Sequence, residues 1–398
     1  MKILFCNYEY PPLGGGGGVV MASLARHLAR RHEVTVLTSR AGTLPAVAHE
    51  EGVRVIRVPV FFRKELAVAN FPSMFAYLPS GFMRGLLLGR RAAFDVINTH
   101  FVVPTGPLGH ALSRIQRIPN VLSIHGGDLF DPSKASSPHR HAPMRAAVRW
   151  LLRTADAVVG QSQDTVRHVR SIYDVDRKTT LIPLGIDRPT QTPCGKRADF
   201  ALPESAFVLV TIGRLVPRKA TTQLVDILAA TRIETAHLLV VGSGPDADAI
   251  ARRASALGLA NRVHLLGQVS EARKHAALQV ADAFVSTSQH EGFGLVFLEA
   301  MAHGLPVLCY DRGGQTDFLA TGETGYVVPL NDQQRFQEAL LALHADPDTR
   351  RAYGARNEER VEQFFIDTCA ARYEQIFEDA IARRATAAAR RGAVSPSP

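Results

Sequence analysis

Two glutamates in the second half of the chain have the character of ligand-binding groups. Glu291 and Glu299 lie in the segment HEGFGLVFLEAMAHGLPV, with seven residues between them. The stretch from Leu295 to Met301 is apolar on nearly every side, which predicts a buried helix. A charged Glu299 inside that helix is costly unless it is paired or hydrogen-bonded. Vicinal sugar hydroxyl groups meet that need because a carboxylate accepts both of their hydrogen bonds; the alternative is an internal pair with an arginine.

Cations are concentrated in the segment GRLVPRK, Gly213 to Lys219, directly after a predicted strand. Lys219 stands at the expected start of the next helix, where the helix dipole disfavours a cation. A bound anion would reverse the sign of that cost. Arg214, with its forked guanidinium, and Lys219, as a point charge, are therefore candidates to hold a diphosphate. The alternative is a solvated basic loop.

A histidine in the first half occupies a position typical of ligand contacts. His125 ends the predicted strand NVLSIH and is followed by two glycines and Asp128. At the carboxyl end of a parallel strand its side chain is expected to face a ligand. A purely structural histidine is the alternative.

Five glycines, Gly14 to Gly18, follow the first predicted strand and precede a helix. Without Cβ atoms their N–H groups can approach a phosphate or a sugar at the positive end of that helix, although such a turn can also simply connect the two elements. No Walker-type Lys-Ser/Thr pair follows, and Val19 and Val20 occupy the place of the third glycine of a dinucleotide-binding fingerprint. Arg40 alone is weak support for an NADP-binding site.

These residues are positioned by short β-rich runs that alternate with helical patterns, as in parallel α/β units. The predicted fold class is α/β, with two Rossmann-like doubly wound domains facing a central cleft lined by the carboxyl ends of their strands. The predicted strands are Lys2–Asn7, Glu33–Thr38, Val53–Val58, Phe94–Thr99, Asn120–His125, Asp156–Gly160, Thr179–Ile182, Phe207–Ile212, His237–Val241, Val263–Leu266, Ala283–Ser286, Pro306–Cys309 and Gly325–Val328. The expected divisions are an N-terminal domain 1–187, a linker 188–199, a C-terminal domain 200–365, a helix 366–382 and a disordered polar tail 383–398.

Composition limits the class of protein. With 398 residues, 46% hydrophobic and 21% charged, the chain has enough apolar surface for two cores, which excludes a mainly disordered protein. Its four cysteines are widely spaced, which argues against a zinc site or a disulfide framework. The N-terminal apolar run is too short for a signal peptide, and no stretch approaches the roughly 20 apolar residues that span a bilayer. We therefore expect a cytoplasmic protein, at the inner face of the plasma membrane if it binds a membrane.

The net charge of +9 is unevenly distributed. Residues 1–187 carry 23 Lys and Arg against 13 Asp and Glu, a net charge of +10, whereas residues 188–398 carry 23 against 24. Within residues 61–91, several phenylalanines and leucines accompany five cations and one acid. Apolar anchors with a basic rim suit an anionic membrane surface; the alternative is a helix packed on its own domain.

Taken together, the motifs PPLGGGGGVV, SIHGGD, IPLGID, GRLVPRK and EGFGLVFLEAMAHGLPV, in this order and spacing, resemble a known family. The chain is similar, over almost its whole length, to the retaining, nucleotide-sugar-dependent glycosyltransferases of family 4, which have the GT-B fold. The resemblance implies transfer of a hexose from a UDP- or GDP-sugar to a glycan or lipid-linked acceptor, as in bacterial surface polysaccharide synthesis. It also implies no obligatory cofactor or metal and a final helix, Asp367–Ala382, that returns to the first domain.

The resemblance also implies roles for individual residues. His125 would contact the transferred sugar, Arg214 and Lys219 the diphosphate, Glu291 the sugar hydroxyls and Glu299 the ribose. Gly15 and Gly16 would approach the donor's phosphates or the acceptor, and the remaining implied donor contacts are Gly267, Val269, Gly294 and Leu295. The five-glycine run is longer than the family's usual pair, and Asp317 stands where the family often has a glutamate.

Three other functions compete with glycosyl transfer. A sugar-nucleotide epimerase or a phosphorylase would use the same fold. An NADP-dependent oxidoreductase is disfavoured by the glycine spacing. A non-enzymatic basic protein that binds nucleic acid is disfavoured because basic and aromatic residues interleave only within residues 61–91.

Overall fold

The computed structural model describes residues 1–61, 71–132, 134–176, 179–189 and 195–393. It divides into two compact units, Met1–Ile186 with Ile366–Pro398 (unit 1) and Asp187–Phe365 (unit 2). The predicted linker 188–199 falls in unit 2, and its residues 190–194, including Cys194, lie outside the described part of the chain.

Unit 1 contains an eight-stranded sheet. Its strands are β1 (Lys2–Cys6), β2 (Glu33–Arg40), β3 (Val47–Glu50), β4 (Val53–Pro59), β5 (Val96–His100), β6 (Asn120–Ile124), β7 (Ala157–Gly160) and β8 (Thr180–Leu181), in the order β3-β4-β2-β1-β5-β6-β7-β8. All neighbours are parallel except β3 and β4. Each strand predicted for this half is present. Strand β3 was not predicted, because an edge strand that is half exposed carries no apolar pattern.

The helices of unit 1 that precede residue 187 are α1 (Gly16–Ala29), α2 (Phe71–Arg91), α3 (Gly106–Gln116), α4 (Ala142–Thr154) and α5 (Gln163–Ser171). Helix α2 packs closely on α3 through glycines four residues apart. A Cβ atom at Gly81 would lie 2.8 Å from Leu108, and one at Gly85 would lie 2.5 Å from Leu112. One face of α2 is therefore fixed against its own unit.

Unit 2 contains a six-stranded, fully parallel sheet. Its strands are β9 (Phe207–Ile212), β10 (Ala236–Val241), β11 (Val263–Gly267), β12 (Ala283–Ser286), β13 (Val307–Tyr310) and β14 (Gly325–Val328), in the order β11-β10-β9-β12-β13-β14. The helices are α6 (Thr221–Thr231), α7 (Ala247–Ala256), α8 (Glu271–Val280), α9 (Leu295–Met301), α10 (Gln333–Ala345) and α11 (Pro347–Val361). Both units are thus doubly wound α/β folds, as predicted.

The last helix, α12 (Ile366–Ala393), returns to unit 1. Tyr373 and Phe377 are buried in the core of that unit, and Glu374 binds Arg31 at 2.7 Å. The predicted disordered tail 383–398 is wrong for residues 383–393, which continue the helix. Alanine and arginine are strong helix formers, and Arg384 reaches Asp156 at 2.7 Å. Among the described residues, no helix has both the length and the apolar character needed to cross a bilayer.

Candidate active site

In unit 2, the loop after β9 lines a small pocket at the carboxyl end of the strand. The pocket is lined by Thr211, Ile212, Gly213, Arg214, Leu215, Lys219, Thr221, Val241 and Ser286. Gly213 has a φ angle of +155°, and a Cβ atom there would lie 3.2 Å from Cε of Lys219. The lysine side chain therefore runs across this glycine, which brings it back to the pocket. The loop ends in a short turn, Pro217–Lys219, just before α6.

A partly buried charge cluster joins this loop to the loop after β12. Nζ of Lys219 donates to Oε1 of Glu291, and Arg218 lies 3.6 Å from Oε2 of the same carboxylate. Glu291 is only 6% exposed. Burial alone would raise the pKa of Glu291, but Lys219 and Arg218 outweigh it and lower this pKa to about 2. The carboxylate is therefore charged at any physiological pH, and the cluster retains one surplus positive charge.

The backbone of Glu291 is held by the turn after β13. Its N–H group donates to the carbonyl of Arg312 at 3.1 Å, and its own carbonyl accepts from Gly314 at 2.9 Å. Gly313 has a φ angle of +116°, and a Cβ atom there would lie 1.9 Å from the Glu291 carbonyl oxygen. Any other residue at position 313 would displace the glutamate.

Arg214 differs from its neighbours because its side chain is exposed. The guanidinium of Arg214 makes no hydrogen bond or ion pair with any residue in the described part of the chain. A cation that lines a pocket and has no internal partner is available to an anionic ligand.

The second predicted glutamate is paired inside unit 2. Oε1 of Glu299, on α9, accepts from Nζ of Lys274, on α8, at 2.9 Å, and Lys274 also contacts Glu271 at 2.7 Å. Burial raises the pKa of Glu299, although Lys274 opposes that rise. The alternative to a sugar ligand was an internal pair with an arginine, and the structure has an internal pair with a lysine. Within the described residues Oε2 of Glu299 has no hydrogen bond, so it can still accept one from a ligand.

The other predicted donor contacts also follow strands of this sheet. Gly267 ends β11 with a φ angle of +67°, and open space surrounds the position of a Cβ atom there; Val269 follows, half-buried. Gly294, with a φ angle of +94°, starts α9 just before Leu295, and a Cβ atom at Gly294 would lie 2.4 Å from the Phe297 ring. Both loops thus lie at the carboxyl edge that also carries the charge cluster.

In unit 1, His125 directly follows β6 and is buried. Its Nε2 lies 2.9 Å from Nδ1 of His100, the last residue of β5, and the ring of Phe101 packs against it at an interplanar angle of 30° with centroids 4.3 Å apart. Its Nδ1 has no hydrogen-bond partner among the described residues. Burial lowers the pKa of His125 to about 4, although the Gln161 side chain beside the ring opposes that fall, so the imidazole is neutral near pH 7.

The main chain around His125 is fixed by Asp128. Its two carboxylate oxygens accept from the N–H groups of His125 at 2.9 Å and Val102 at 2.6 Å. Burial raises the pKa of Asp128 to about 6, although these hydrogen bonds oppose the rise. Asp128 therefore links the loops after β5 and β6.

The glycine run binds the carboxylate of Glu9, a residue of the same unit. Oε2 of Glu9 accepts from the N–H group of Gly15 at 3.1 Å, at the start of α1. A Cβ atom at Gly14 would lie 2.3 Å from that carboxylate, whereas one at Gly15 would meet nothing within 4 Å. A second anion such as a phosphate is disfavoured beside Glu9. This loop is better suited to a neutral hydroxyl-bearing group near Gly15 and Gly16.

The sequence did not identify several residues that complete these sites. Arg218, His100, Glu9 and Lys274 were not singled out as candidates. Two of them had a usable signal. Arg218 adjoins Lys219, and His100 ends a parallel strand just as His125 does.

The described residues contain no group of three or more His, Cys, Asp or Glu side chains that could hold a metal ion. Cys6, Cys309 and Cys369 are buried free thiols, and burial raises their pKa values.

Comparison with protein families gives two matches that together cover most of the chain. Residues 14–188 match the model described as Glycosyltransferase Family 4, and residues 195–360 match the model described as Glycosyl transferases group 1. A D-inositol 3-phosphate glycosyltransferase of Kineococcus radiotolerans is 30% identical over 95% of this chain and 93% of its own length. An N-acetyl-alpha-D-glucosaminyl L-malate synthase of Bacillus anthracis is 26% identical, covering 96% and 98%.

Solved structures share the fold. Sucrose-phosphate synthase from Thermosynechococcus elongatus superposes with a TM-score of 0.82 and 24% identity, over 96% of this chain and all of the other. Anabaena HepE in complex with UDP-glucose superposes with a TM-score of 0.75 and 20% identity, over 95% of this chain and all of the other.

Proposed function

Because this chain belongs to the GT-B-fold glycosyltransferases of family 4, we propose that it moves a hexose from a UDP- or GDP-sugar to a hydroxyl group. The acceptor in this proposal is a glycan or a lipid-linked glycan, and the anomeric configuration is retained. The complex of the structurally similar HepE with UDP-glucose supports a nucleotide-sugar donor.

The observation that carries the proposal is the pocket at the end of β9. It is lined by Lys219, which Glu291 holds in place, and by the exposed guanidinium of Arg214, which has no partner among the residues that the structure describes. A diphosphate would bind both cations, Arg214 through paired N–H groups and Lys219 as a point charge. The same charges would stabilise the nucleoside diphosphate as it leaves.

Other residues of the family motifs would bind the donor's sugars. In unit 2 we assign the ribose hydroxyls to Oε2 of Glu299 and the hexose hydroxyls to Glu291, and in unit 1 we assign the transferred sugar to His125. The base would lie along Gly267 and Val269, and the N–H groups of Gly294 and Leu295 would add donors at the start of α9. The leaving phosphate itself would help to remove the acceptor's proton. This step requires no separate strong base and no metal.

The test is a donor screen that measures release of UDP or GDP from UDP-hexoses and GDP-hexoses, with and without lipid-linked acceptors. We expect release that depends on an acceptor and a product with the donor's anomeric configuration, read by NMR. Interconversion of the nucleotide sugar without an acceptor would instead identify an epimerase.

Variants connect the activity to the pocket. Lys219→Ala and Arg214→Gln should each lower turnover at least about 100-fold, the scale for loss of one transition-state electrostatic contact. Arg252→Gln, an exposed arginine on α7, is the matched control and should retain full activity. Near-native turnover in both pocket variants, with circular dichroism unchanged, would show that the site is elsewhere.

We further propose that α2 binds an anionic membrane that carries the acceptor. Residues 62–70 of the predicted segment 61–91 lie outside the described residues. The rest forms a helix whose outer face is apolar, with Phe75 67% exposed, Met83 60% and Leu87 43%. Arg84, Arg90 and Arg91 lie beside these residues along the helix. The opposite face already packs on α3, so packing within unit 1 accounts for only one side of α2.

Liposome flotation tests this part separately. Binding should be strong on vesicles rich in anionic lipid and weak on neutral ones, and it should fall as salt rises. Phe75→Ser with Leu87→Ser should reduce binding about 10-fold, whereas Leu341→Ser, an exposed leucine on α10, should not. Equal binding to both vesicle types would remove the electrostatic argument.

A further inference from the structure

A series of buried hydrogen bonds connects Asn98, His100 and His125 in unit 1. Nδ2 of Asn98 donates to the backbone carbonyl of Val121 at 3.0 Å and to Oγ of Ser123 at 2.9 Å. Oδ1 of Asn98 lies 2.7 Å from Nε2 of His100. Nδ1 of His100 in turn lies 2.9 Å from Nε2 of His125. Asn98, His100 and His125 are all buried.

The orientation of the Asn98 amide is determined by its neighbours. A backbone carbonyl can only accept, so the atom of Asn98 that faces Val121 must be the NH2 group. The other amide atom is then the oxygen, which can only accept. Nε2 of His100 must therefore carry the hydrogen that this oxygen receives.

The hydrogen on Nε2 of His100 in turn determines the tautomer of His125. Burial holds the pKa of His100 well below its usual range, so its ring is neutral. A neutral ring that donates through Nε2 has a lone pair on Nδ1. His125 must then donate to it through its own Nε2–H, which leaves a lone pair on its Nδ1. The same nitrogen is the buried atom that has no partner among the described residues.

We infer that Asn98 and His100 are positioning residues that hold His125 in its Nε2–H tautomer, so that Nδ1 accepts a hydrogen bond from a hydroxyl group of the transferred sugar. The assignment of the sugar rests on the proposed function, whereas the tautomer rests on the hydrogen bonds alone. A fixed tautomer makes His125 selective, because it accepts from an O–H group and presents no N–H donor to the ligand.

Two neighbouring side chains support a neutral, hydroxyl-bearing ligand. Asn7 directly follows β1 and Gln161 directly follows β7, so they lie at the same sheet edge as His100 and His125. Nδ2 of Asn7 and Oε1 of Gln161 are buried and make no hydrogen bond of standard geometry within the described chain, although the Gln161 side chain lies beside the His125 ring. Together with Nδ1 of His125 they offer one donor and two acceptors. A sugar satisfies such a set because each hydroxyl both donates and accepts.

The first experiment reads the tautomer directly on the protein without ligand. Long-range 1H–15N spectra of the 15N-histidine-labelled chain, with His125 assigned through His125→Gln, should show a protonated Nε2 and a bare Nδ1 near neutral pH. A protonated Nδ1, or a fully protonated ring, would overturn the inference.

Variants then test the two positioning residues. His100→Phe keeps an aromatic ring beside Phe5, which is 5.6 Å from the His100 ring, but removes both hydrogen bonds. The His125 signal should lose its single tautomer, and kcat/KM with UDP-glucose or GDP-mannose, whichever is turned over, should fall about 10-fold to 100-fold. His100→Gln retains a donor and an acceptor and should restore part of the loss.

Tyr373→Phe is the matched control. It removes the hydrogen bond to Ser123 at 3.0 Å but leaves Asn98 bound to Val121. The tautomer and turnover should therefore stay unchanged, and any loss of thermal stability measures the general effect of disturbing this buried network. If Tyr373→Phe lowered kcat/KM as much as His100→Phe does, the role of His100 would be structural only.

The two readouts separate the two proposals. A protonated Nε2 in a protein that turns over no nucleotide sugar would overturn the proposed function and the role of the sugar. Turnover by a protein in which His125 carries its hydrogen on Nδ1 would overturn the inference and leave the proposed function standing.

Discussion

The carboxyl edges of the two sheets carry opposite kinds of polar chemistry. In unit 1 the edge carries the neutral side chains of His100, His125, Asn7 and Gln161. Its carboxylates, Glu9 and Asp128, accept hydrogen bonds from backbone N–H groups of the same unit. In unit 2 the edge is charged, with Arg214 and the partly buried cluster around Glu291. Neutral amides and imidazoles suit hydroxyl groups, whereas a cation cluster suits a diphosphate. The two folds are alike, so the chemistry lies in the residues that follow the strands.

The net charges of the two halves of the chain are distributed in the opposite way to the charges at the two sheet edges. Residues 1–187 carry a net charge of +10 and residues 188–398 a net charge of −1, yet the cations that line a pocket at a strand edge belong to the second group. The surplus of the first group includes Arg84, Arg90 and Arg91 on α2. Net charge therefore describes the surface of a domain and says little about the polarity of its binding site.

The largest effect should come from breaking the charged edge. Glu291→Gln leaves Lys219 and Arg218 without a buried counter-charge and should lower the free energy of unfolding by about 3 kcal/mol near neutral pH. The folded pKa of about 2 lies below the ordinary value of 4.5. The contribution of Glu291 is therefore complete above pH 4.5 and is lost as the pH falls toward 2. Urea denaturation of both proteins across this range measures the difference.

Glu362→Gln is a matched control in the same unit. Its carboxylate pairs with Arg188 at 3.0 Å, but its side chain is 58% exposed, against 8% for Glu291. The expected loss is below about 1 kcal/mol. Equal losses in the two variants would mean that burial does not distinguish these ion pairs.

A second prediction compares one variant at the edge of each sheet. Arg214→Gln should weaken the binding of UDP or GDP about 10-fold, with a smaller salt dependence than the parent protein, because one phosphate contact is lost. His125→Gln should leave nucleotide binding unchanged and lower the rate of transfer about 10-fold or more. Isothermal titration and turnover assays separate the two. Weaker nucleotide binding in His125→Gln would place this histidine on the phosphates.

Residues at the ends of strands were predictable because their position follows from local patterns. The apolar runs before Gly213 and His125 mark strands, and residues after parallel strands share one edge. The partners of these residues were not predictable. The bond between His100 and His125 depends on β5 and β6 being neighbours, and the pairing of Glu291 with Lys219 depends on β9 lying beside β12. Strand order is a property of the whole sheet and leaves no local signal.

Substitutions of Gly15 and Gly14 test the carboxyl edge of the unit 1 sheet, with smaller expected effects. Gly15→Ala should lower stability by less than about 1 kcal/mol, because Gly15 is the N-cap of α1 but its φ angle is −121° and a Cβ atom meets nothing within 4 Å. It should lower kcat/KM for the acceptor about 10-fold if an acceptor approaches this loop. Gly14→Ala should instead lower stability by about 1 to 2 kcal/mol, because its φ angle is +96° and the Glu9 carboxylate lies in the way. Thermal melts and acceptor kinetics together distinguish the two, and an unaffected Gly15→Ala enzyme would remove this loop from the site.

The smallest effect should come from Lys274, which contrasts two carboxylates within unit 2. Glu291 faces two cations and has a lowered pKa, whereas Glu299 has Lys274 alone against burial and a raised pKa. Lys274→Met should raise the pKa of Glu299 further, so that a larger fraction of this carboxyl is protonated as the pH falls. A protonated Glu299 accepts ribose hydroxyls less well, so nucleotide affinity should fall about 3-fold near neutral pH and by more at lower pH. Titration of UDP or GDP at two pH values measures this trend. A pH-independent loss would mean that Lys274 acts through packing rather than through the charge of Glu299.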